Sequence, residues 1–454
     1  MPGSLPAALS LPDYVVRTTA NPSRAYRVMI GSAILLGLVA SLYTALTGEL
    51  FEPARDALAA GRFSEAVLRP SILWVIMGLT MLTIRTLLWF RYQPFESASM
   101  QAAPAMTVVI PAYNEGAMIE QSIESVAAAH YPRDRLEVLV VDDGSTDDTW
   151  EYIERAAQRH PGIVTAVRLE RNQGKRVALA TGFRRARGAV IVTIDSDSVI
   201  EPNTLLAMAG PFRNPRIGAV AGKVTAYNRE RGWLPRMLHV RFILSFDFQR
   251  SVQSTYGTVY CCPGALAAYR ASLVHELLDD WLEQRFLGAR CTFGEDRALT
   301  NAILARGFDT VYQGTAVVHT IVPETYSKLV RMYLRWDRSY VREELRFARI
   351  VWRRPLIPMV LAILEKTVSN LRHPVAWVAG ALLITRMFSS PLSLLRILVA
   401  IGIGSSFYML YYLYSERSLR FVHGILYAYF AFFTLWWILP YAILTARARG
   451  WLTR

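Results

Sequence analysis

The sequence predicts an α/β domain, with a mostly parallel sheet and helices on both faces, set between membrane-spanning helices. Three observations lead there. Of 454 residues, 53% are hydrophobic and 19% charged, an apolar balance too high and a charge too low for an ordinary soluble protein. Uncharged runs of bilayer length sit near both ends of the chain. Between them, short apolar stretches alternate with amphipathic ones, the pattern of strand–helix–strand units.

The same arithmetic excludes other classes. A disordered chain lacks this many apolar residues. Three cysteines, Cys261, Cys262 and Cys291, make no disulfide framework, and two adjacent ones lack zinc-site spacing; free cysteines of this kind are expected in the core. The net charge of +14 fits nucleic acid or an anionic membrane face. The arginines lie beside apolar runs rather than in one soluble patch, so membrane lipids are expected as partners and nucleic acid is not.

Taken in order, residues 1–27 carry Arg17, Arg24 and Arg27 and are expected on the cytoplasmic side. Residues 28–48 contain no charge and are long enough to span a bilayer. No small-residue cleavage site follows them, which reads as an anchor. Residues 70–90 form a second candidate, interrupted only by Arg85, whose stem can snorkel. Two spans within 28–90 return the chain to the cytoplasm. Residues 105–320 contain no spanning run. There, 107–111, 137–142, 164–169, 190–195 and 218–224 are expected as strands, with helices over 118–129, 146–159 and 175–187. Residues 233–250 and 327–350 mix arginine with Trp, Tyr, Phe and Leu, as interfacial amphipathic helices do. Residues 356–446 hold three to four further spans: 397–415 and 421–446 are uncharged apart from His423, and 374–385 is shorter. The run 356–364 is apolar and brief, suited to a span, a re-entrant piece or an interfacial helix. The tail, 447–454, carries Arg447, Arg449 and Arg454, which also suits the cytoplasm.

The chemistry-bearing residues follow strands. Ligands of parallel α/β sheets bind at the carboxyl ends of strands, and four polar clusters would gather on that rim. Pro111-Ala112-Tyr113-Asn114-Glu115 follows the first strand and Asp142-Asp143-Gly144-Ser145 the second. Asn172-Gln173-Gly174-Lys175-Arg176 follows the third and Asp195-Ser196-Asp197 ends the fourth. The two carboxylates of the last cluster suit a hard divalent cation shared with substrate phosphates, although Asp and Ser also populate plain solvated turns. Ser145 or Thr146 suits a helix N-cap. Lys175 and Arg176 can reach a phosphate. In Gly294-Glu295-Asp296-Arg297 a carboxylate can deprotonate a hydroxyl or simply favour a helix N-terminus. Cys262-Pro263-Gly264 is small enough to let a substrate approach. Arg335-Trp336 offers a planar cation and an aromatic face.

Together and in this order, these motifs resemble the processive membrane type of family 2 glycosyltransferases, in particular hyaluronan synthases and rhizobial chitin-oligosaccharide synthases. The resemblance covers roughly residues 105–350. It implies a GT-A-like nucleotide-sugar-binding domain, a UDP-sugar donor and an inverting transfer to a growing polysaccharide. It implies Asp296 as catalytic base, Asp197 with Asp195 as ligands of Mg²⁺ or Mn²⁺, and donor contacts from Tyr113, Glu115, Asp142, Lys175 and Arg176. It also implies substrate contacts from Asp195, Cys262 and Gly264, and places Arg335 and Trp336 beside the diphosphate and the acceptor sugar. A bacterial inner-membrane protein with a cytoplasmic catalytic domain follows. In one departure the family has Gln four residues before the Trp, and this chain has Met332. UDP-GlcNAc is the favoured donor, alone or alternating with UDP-glucuronate as in hyaluronan. A chitin- or cellulose-type product, transfer of one sugar to a lipid carrier, and a nucleotide-sensing channel are the competing readings.

Overall fold

A computed structural model describes residues 28, 31–36, 39, 52–64, 69–387 and 392–448. The first expected span, 28–48, lies largely outside the described residues, as do the segment 1–27 and the end of the tail. The described chain runs α1 (Glu52–Ala59), α2 (Pro70–Arg91), β1 (Met106–Ala112), α3 (Met118–Ala127), β2 (Leu136–Asp142), α4 (Thr149–Arg159), β3 (Val164–Arg168), α5 (Lys175–Arg185), β4 (Val190–Thr193), β5 (Ser198–Ile200), α6 (Thr204–Ala209) and β6 (Ile217–Ala226). It continues through α7 (Trp233–Ile243), a π-helical turn (Leu244–Arg250), α8 (Ser251–Thr255), β7 (Ala267–Arg270), α9 (Ala271–Leu282), β8 (Arg285–Phe286), β9 (Ala289–Arg290), α10 (Glu295–Ala305) and β10 (Asp309–Thr320). The C-terminal helices are α11 (Tyr326–Ile350), α12 (Leu356–Met387), α13 (Leu392–Glu416), α14 (Phe421–Thr434) and α15 (Ile438–Leu444).

Every residue of β1 is buried, which is why it reads as a continuous apolar run rather than an alternation. In α3, Ile119, Ser122, Ile123 and Val126 are buried, the three-and-four spacing of a helix lying on a sheet. The eight strands stand in the order β3-β2-β1-β4-β7-β6-β10-β5. Strands β3, β2, β1 and β4 are mutually parallel, and so are β6 and β10. Strand β7 is antiparallel to both β4 and β6, and β5 is antiparallel to β10. The sheet is therefore mixed, correcting the mostly parallel expectation. The reason is connectivity. The helical stretch α7–α8 and the loop after it reverse the chain before β7 instead of crossing back over the sheet.

The sheet also curls. Strand β5 stands four places from β4, about 19 Å in a flat sheet at ~4.8 Å per strand. Only residues 194–197 join them, and they form a turn in which the Ser198 N–H donates to the Asp195 carbonyl at 3.1 Å. A compact turn cannot bridge that distance, so the far edge folds back and brings β5 and β10 beside the end of β4.

Strand and helix boundaries otherwise follow the sequence expectations closely. The 146–159 helix is the exception, since it begins at Thr149 after Asp148. Ser145 and Thr146 are not its caps. Ser145 is drawn away to Asp142, and Thr146 N–H donates to Asn114 Oδ1 at 2.9 Å.

At the C-terminal end, 356–364 and 374–385 belong to a single helix, α12, with Pro374 inside it. Its 32 residues extend about 48 Å at ~1.5 Å per residue. The run 421–446 breaks into α14 and α15, bent by 50°. Pro440 near the start of α15 has no N–H for the Trp436 carbonyl, which accounts for the break. Among the described residues, Ile72–Arg91 is the one helix that alone is long and apolar enough to cross a membrane, and α14 with α15 passes as a bent pair. Helix α11 packs on α10 and α15, and α7 packs on β6 and α14. The apolar helices thus press directly against the sheet domain.

Candidate active site

The loops at the carboxyl ends of β1, β2 and β4 are stitched together by hydrogen bonds. Asn114, held at φ 53°, donates its N–H to Ser145 Oγ at 3.0 Å. The N–H groups of Glu115 and Gly116 both donate to Thr149 Oγ1, at 2.8 and 2.9 Å. Ser196 Oγ donates to Glu115 Oε1 at 2.7 Å. These contacts present Tyr113, Glu115, Asp143, Lys175, Asp195 and Asp197 to one cavity of about 1280 Å³. Gly264, Asp296, Arg335 and Trp336 line the same cavity.

Asp142 does not. It is fully buried, accepts from the Ser145 N–H at 3.1 Å and pairs with Arg168 at 3.3 Å. Its neighbour Asp143 faces the cavity, and its two oxygens accept from the N–H groups of Gln173 and Gly174, both at 2.8 Å. Burial, with Asp142 next to it, pushes the Asp143 carboxyl above its usual range. Adjacent residues at a strand end point to opposite sides, so one acid braces the loops and the other meets the ligand space.

Arg176 is also displaced from its expected role. Lys175 opens α5 and reaches the cavity, where it pairs with Asp195 and, at 3.4 Å, with Glu295. One position on, about 100° around the helix, Arg176 is buried under Trp281. It donates to the Trp281 carbonyl and to Gln284 Oε1, both at 3.0 Å. It does not line the cavity. Cys262 is likewise fully buried, its N–H donating to Thr300 Oγ1 at 3.1 Å. The preceding Cys261 lines the cavity in its place. Gly264 fits its expected close approach: a Cβ there would lie 3.1 Å from Lys175 Nζ and 3.4 Å from Asp195 Oδ1.

The electrostatics concentrate negative charge at one end. Burial, then the charges of Asp195 and Glu115, push the Asp197 carboxyl up to about 7. Its Oδ1 accepts from Thr320 Oγ1 at 3.2 Å. Burial opposes the charge of Lys175, but Asp195 and Glu295 outweigh it and raise the lysine above its ordinary value. Among the described residues no three His, Cys, Asp or Glu side chains make a ready metal cage. A pair of carboxylates completed by ligand phosphates is nonetheless the usual magnesium arrangement. The crowded acids at Asp195 and Asp197 fit a divalent cation on that footing.

Asp296 stands at the N-terminus of α10. The left-handed Gly294 (φ 78°) starts this helix, and a Cβ there would run into Ser339. Asp296 Oδ1 accepts from the Arg297 N–H at 2.7 Å, and Oδ2 accepts from Cys261 Sγ at 3.3 Å. Burial, then the charge of Glu295, holds its carboxyl above the usual range. That is the direction that makes a carboxylate a better base. Trp336 sits between Phe242 and Tyr333, its ring centre 6.3 and 5.6 Å from theirs. Met332 lines the cavity on the same helix.

Sequence reading missed the far side of the cavity. Arg85 of α2, Arg241 of α7, Asp337 of α11, and Lys366 and Arg372 of α12 all line it. Arg85 donates to Ser369 Oγ at 3.1 Å, and Glu365 accepts from Gln253 Nε2 at 3.0 Å. For Arg85, Lys366 and Arg372 the available signal was a charge inside an otherwise apolar helix, since such groups face a polar interior.

Comparison with known proteins agrees with this geometry. Residues 107–278 match the family described as glycosyl transferase family 2. An N-acetylglucosaminyltransferase from Mesorhizobium japonicum is 31% identical over 353 residues, covering 77% of this chain and 82% of the relative. Another from Azorhizobium caulinodans is 37% identical over 249 residues, 55% of this chain and 62% of the relative. The chain thus spans less than two thirds of that protein's length. A hyaluronan synthase from Streptococcus pyogenes is 34% identical over 289 residues, 63% of this chain and 68% of the relative. A mannosyltransferase from Pyrobaculum calidifontis, solved in complex with GDP-Man and Mn²⁺, shares the fold. Its TM-score is 0.54 at 23% identity, over 78% of this chain and 97% of its own. A GT-A-like sheet with its acids on one rim, matched over most of the length of such relatives, makes this chain a member of glycosyl transferase family 2.

Proposed function

We propose that the protein is a membrane-embedded, processive, inverting glycosyltransferase. It builds a β-linked polysaccharide from UDP-sugars, with UDP-GlcNAc the favoured donor, alone or alternating with UDP-glucuronate, and passes the chain across the membrane. The observation that carries this reading is the single cavity. The rim acids, Lys175 and Asp296 share it with Arg85 on an apolar helix and with Lys366 and Arg372 on α12. A transfer site continuous with those helices suits an acceptor that must leave through them. Relatives named N-acetylglucosaminyltransferase and hyaluronan synthase support the donor class.

In this mechanism Tyr113 and Asp143 hold the nucleoside end of the donor. Lys175 and Arg335 lie beside the diphosphate and stabilise the charge it gains on leaving. Asp195 and Asp197 would hold Mg²⁺ or Mn²⁺, which when bound neutralises that leaving group. Asp296 takes the proton of the acceptor hydroxyl. The freed oxygen bonds to the anomeric carbon from the face opposite the diphosphate, the carbon–oxygen bond to the diphosphate breaks, and UDP departs. The attack inverts the anomeric centre. Trp336 presents its face to the acceptor sugar.

The test is product analysis with purified protein in detergent, given UDP-GlcNAc, UDP-glucuronate and UDP-glucose singly and in pairs with Mn²⁺. Long polymer with UDP-GlcNAc, or with UDP-GlcNAc and UDP-glucuronate together, is expected. A product extended by one sugar only would overturn processivity, and polymer from UDP-glucose alone would overturn the donor.

A further inference from the structure

We propose that Cys261 is a positioning residue for Asp296, orienting the base through its thiol while the loop it begins ties that base to the diphosphate end of the cavity. The inference rests on the reading of Asp296 as the base.

The loop 261–264 touches both halves of the reaction. At one end Cys261 Sγ donates to Asp296 Oδ2 at 3.3 Å. Among the described residues no other side chain gives that carboxylate a hydrogen bond, its second donor being the Arg297 backbone N–H. At the other end, Gly264 lies against Lys175 and Asp195, where an added Cβ would stand 3.1 Å from Lys175 Nζ and 3.4 Å from Asp195 Oδ1. A single hydroxyl clamps the loop to the helix that carries the base. Thr300 Oγ1 donates to the Asp296 carbonyl at 2.7 Å and accepts from the Cys262 N–H at 3.1 Å. From the π-helical turn, Arg250 Nε donates to the Cys261 carbonyl at 3.1 Å, its guanidinium 3.9 Å from the Phe246 ring centre. Four residues therefore fix the spacing between the proton acceptor and the leaving-group cluster.

The chemistry suits a thiol. A thiol is a weak donor, so it aims the carboxylate while leaving most of its basicity. The charged and titratable groups facing Asp296 are Glu295 and Arg297 on its own helix, Cys261 and Cys262 on the loop, and Tyr269 on β7. Buried beside Asp296, the Cys261 thiol is pushed up to about 12, so it stays a protonated donor through the working range and transfers no proton itself.

Two variants and one chemical probe test this. Cys261→Ala removes the donor and Cys261→Ser keeps one. For Cys261→Ala, kcat is expected to fall about five- to tenfold, with donor KM within about twofold and the acid limb of the pH–rate profile moved to higher pH. Cys261→Ser should keep kcat within about threefold, with its acid limb at or below that of the wild type. Two variants that behave alike, whether both normal or both impaired, would overturn the role. The probe does not need turnover. Iodoacetamide labelling of Cys261, mapped by mass spectrometry at pH 8, should be severalfold faster in Asp296→Asn, because the lost charge eases thiolate formation. An unchanged labelling rate would overturn the contact. Faster labelling in a protein that releases no UDP with any donor would establish the contact and refute the base, which separates this inference from the reading beneath it.

Discussion

At the residue scale, Asp296 has a cost that follows from its burial. The folded protein holds this proton more tightly than the unfolded chain, whose aspartates titrate near about 3.9. The ionised side chain therefore subtracts stability increasingly as pH rises from that value through the raised folded one. Asp296→Asn should lose at least about a hundredfold in kcat yet melt higher than the wild type at pH 8, read by thermal denaturation. A lower melting point would contradict the burial account. The same raised carboxyl predicts an acid limb of kcat above the ordinary carboxylate range, with activity falling about tenfold per pH unit below it. A rate independent of pH across the acid range would count against Asp296 as base. The carboxylates at the rim call for a thermodynamic test. Mn²⁺ should raise the melting temperature of the wild type by ligand linkage. It should not do so in an Asp195→Asn, Asp197→Asn double variant, and an equal rise in both would place the cation elsewhere.

Element by element, the sequence was legible where one residue type has one use. The order of Lys175, Asp195, Asp197 and Asp296 identified side chains that do meet in one cavity. It failed where a neighbour one position away carries the same chemistry. Asp142 and Asp143 differ only by strand pleat, Lys175 and Arg176 only by rotation about a helix, and Cys261 and Cys262 only by a loop's direction. Composition cannot resolve those choices, because the packing of the other elements decides them. Strand β7, half alanine, and strand β10, bulged between Gln313 and Val317, carry weak periodicity and were not read as strands. Missing β7 is what made the sheet look mostly parallel. Helix α12 shows the same limit, since its apolar halves and the charges between them were visible while the packing that turns Lys366 and Arg372 toward this cavity was not. Arg372→Ala should leave UDP release within about threefold but shorten the polymer, as loss of an acceptor contact rather than of chemistry. Full-length product from that variant, sized by gel filtration, would remove α12 from the acceptor path.

Across the whole molecule, the catalytic sheet and the C-terminal helices are joined by a buried ionic knot. Lys223 of β6 pairs with Asp247 of the π-helical turn at 2.7 Å and with Glu416 at the end of α13 at 3.1 Å. Tyr312 of β10 donates to the same Asp247 at 2.7 Å. Removing the cation strands two carboxylates, so Lys223→Met should destabilise the protein by about 3 kcal/mol, measured by denaturant unfolding in detergent. The knot makes the cavity-bearing sheet and the apolar helices one mechanical unit, as the proposed coupling of transfer to export would require. The most direct test of that central claim is UDP release and polymer length measured together on the wild type and Asp296→Asn. The account predicts release coupled to long polymer in the wild type and loss of both in the variant. Undiminished release by Asp296→Asn, or release without polymer in the wild type, would contradict it.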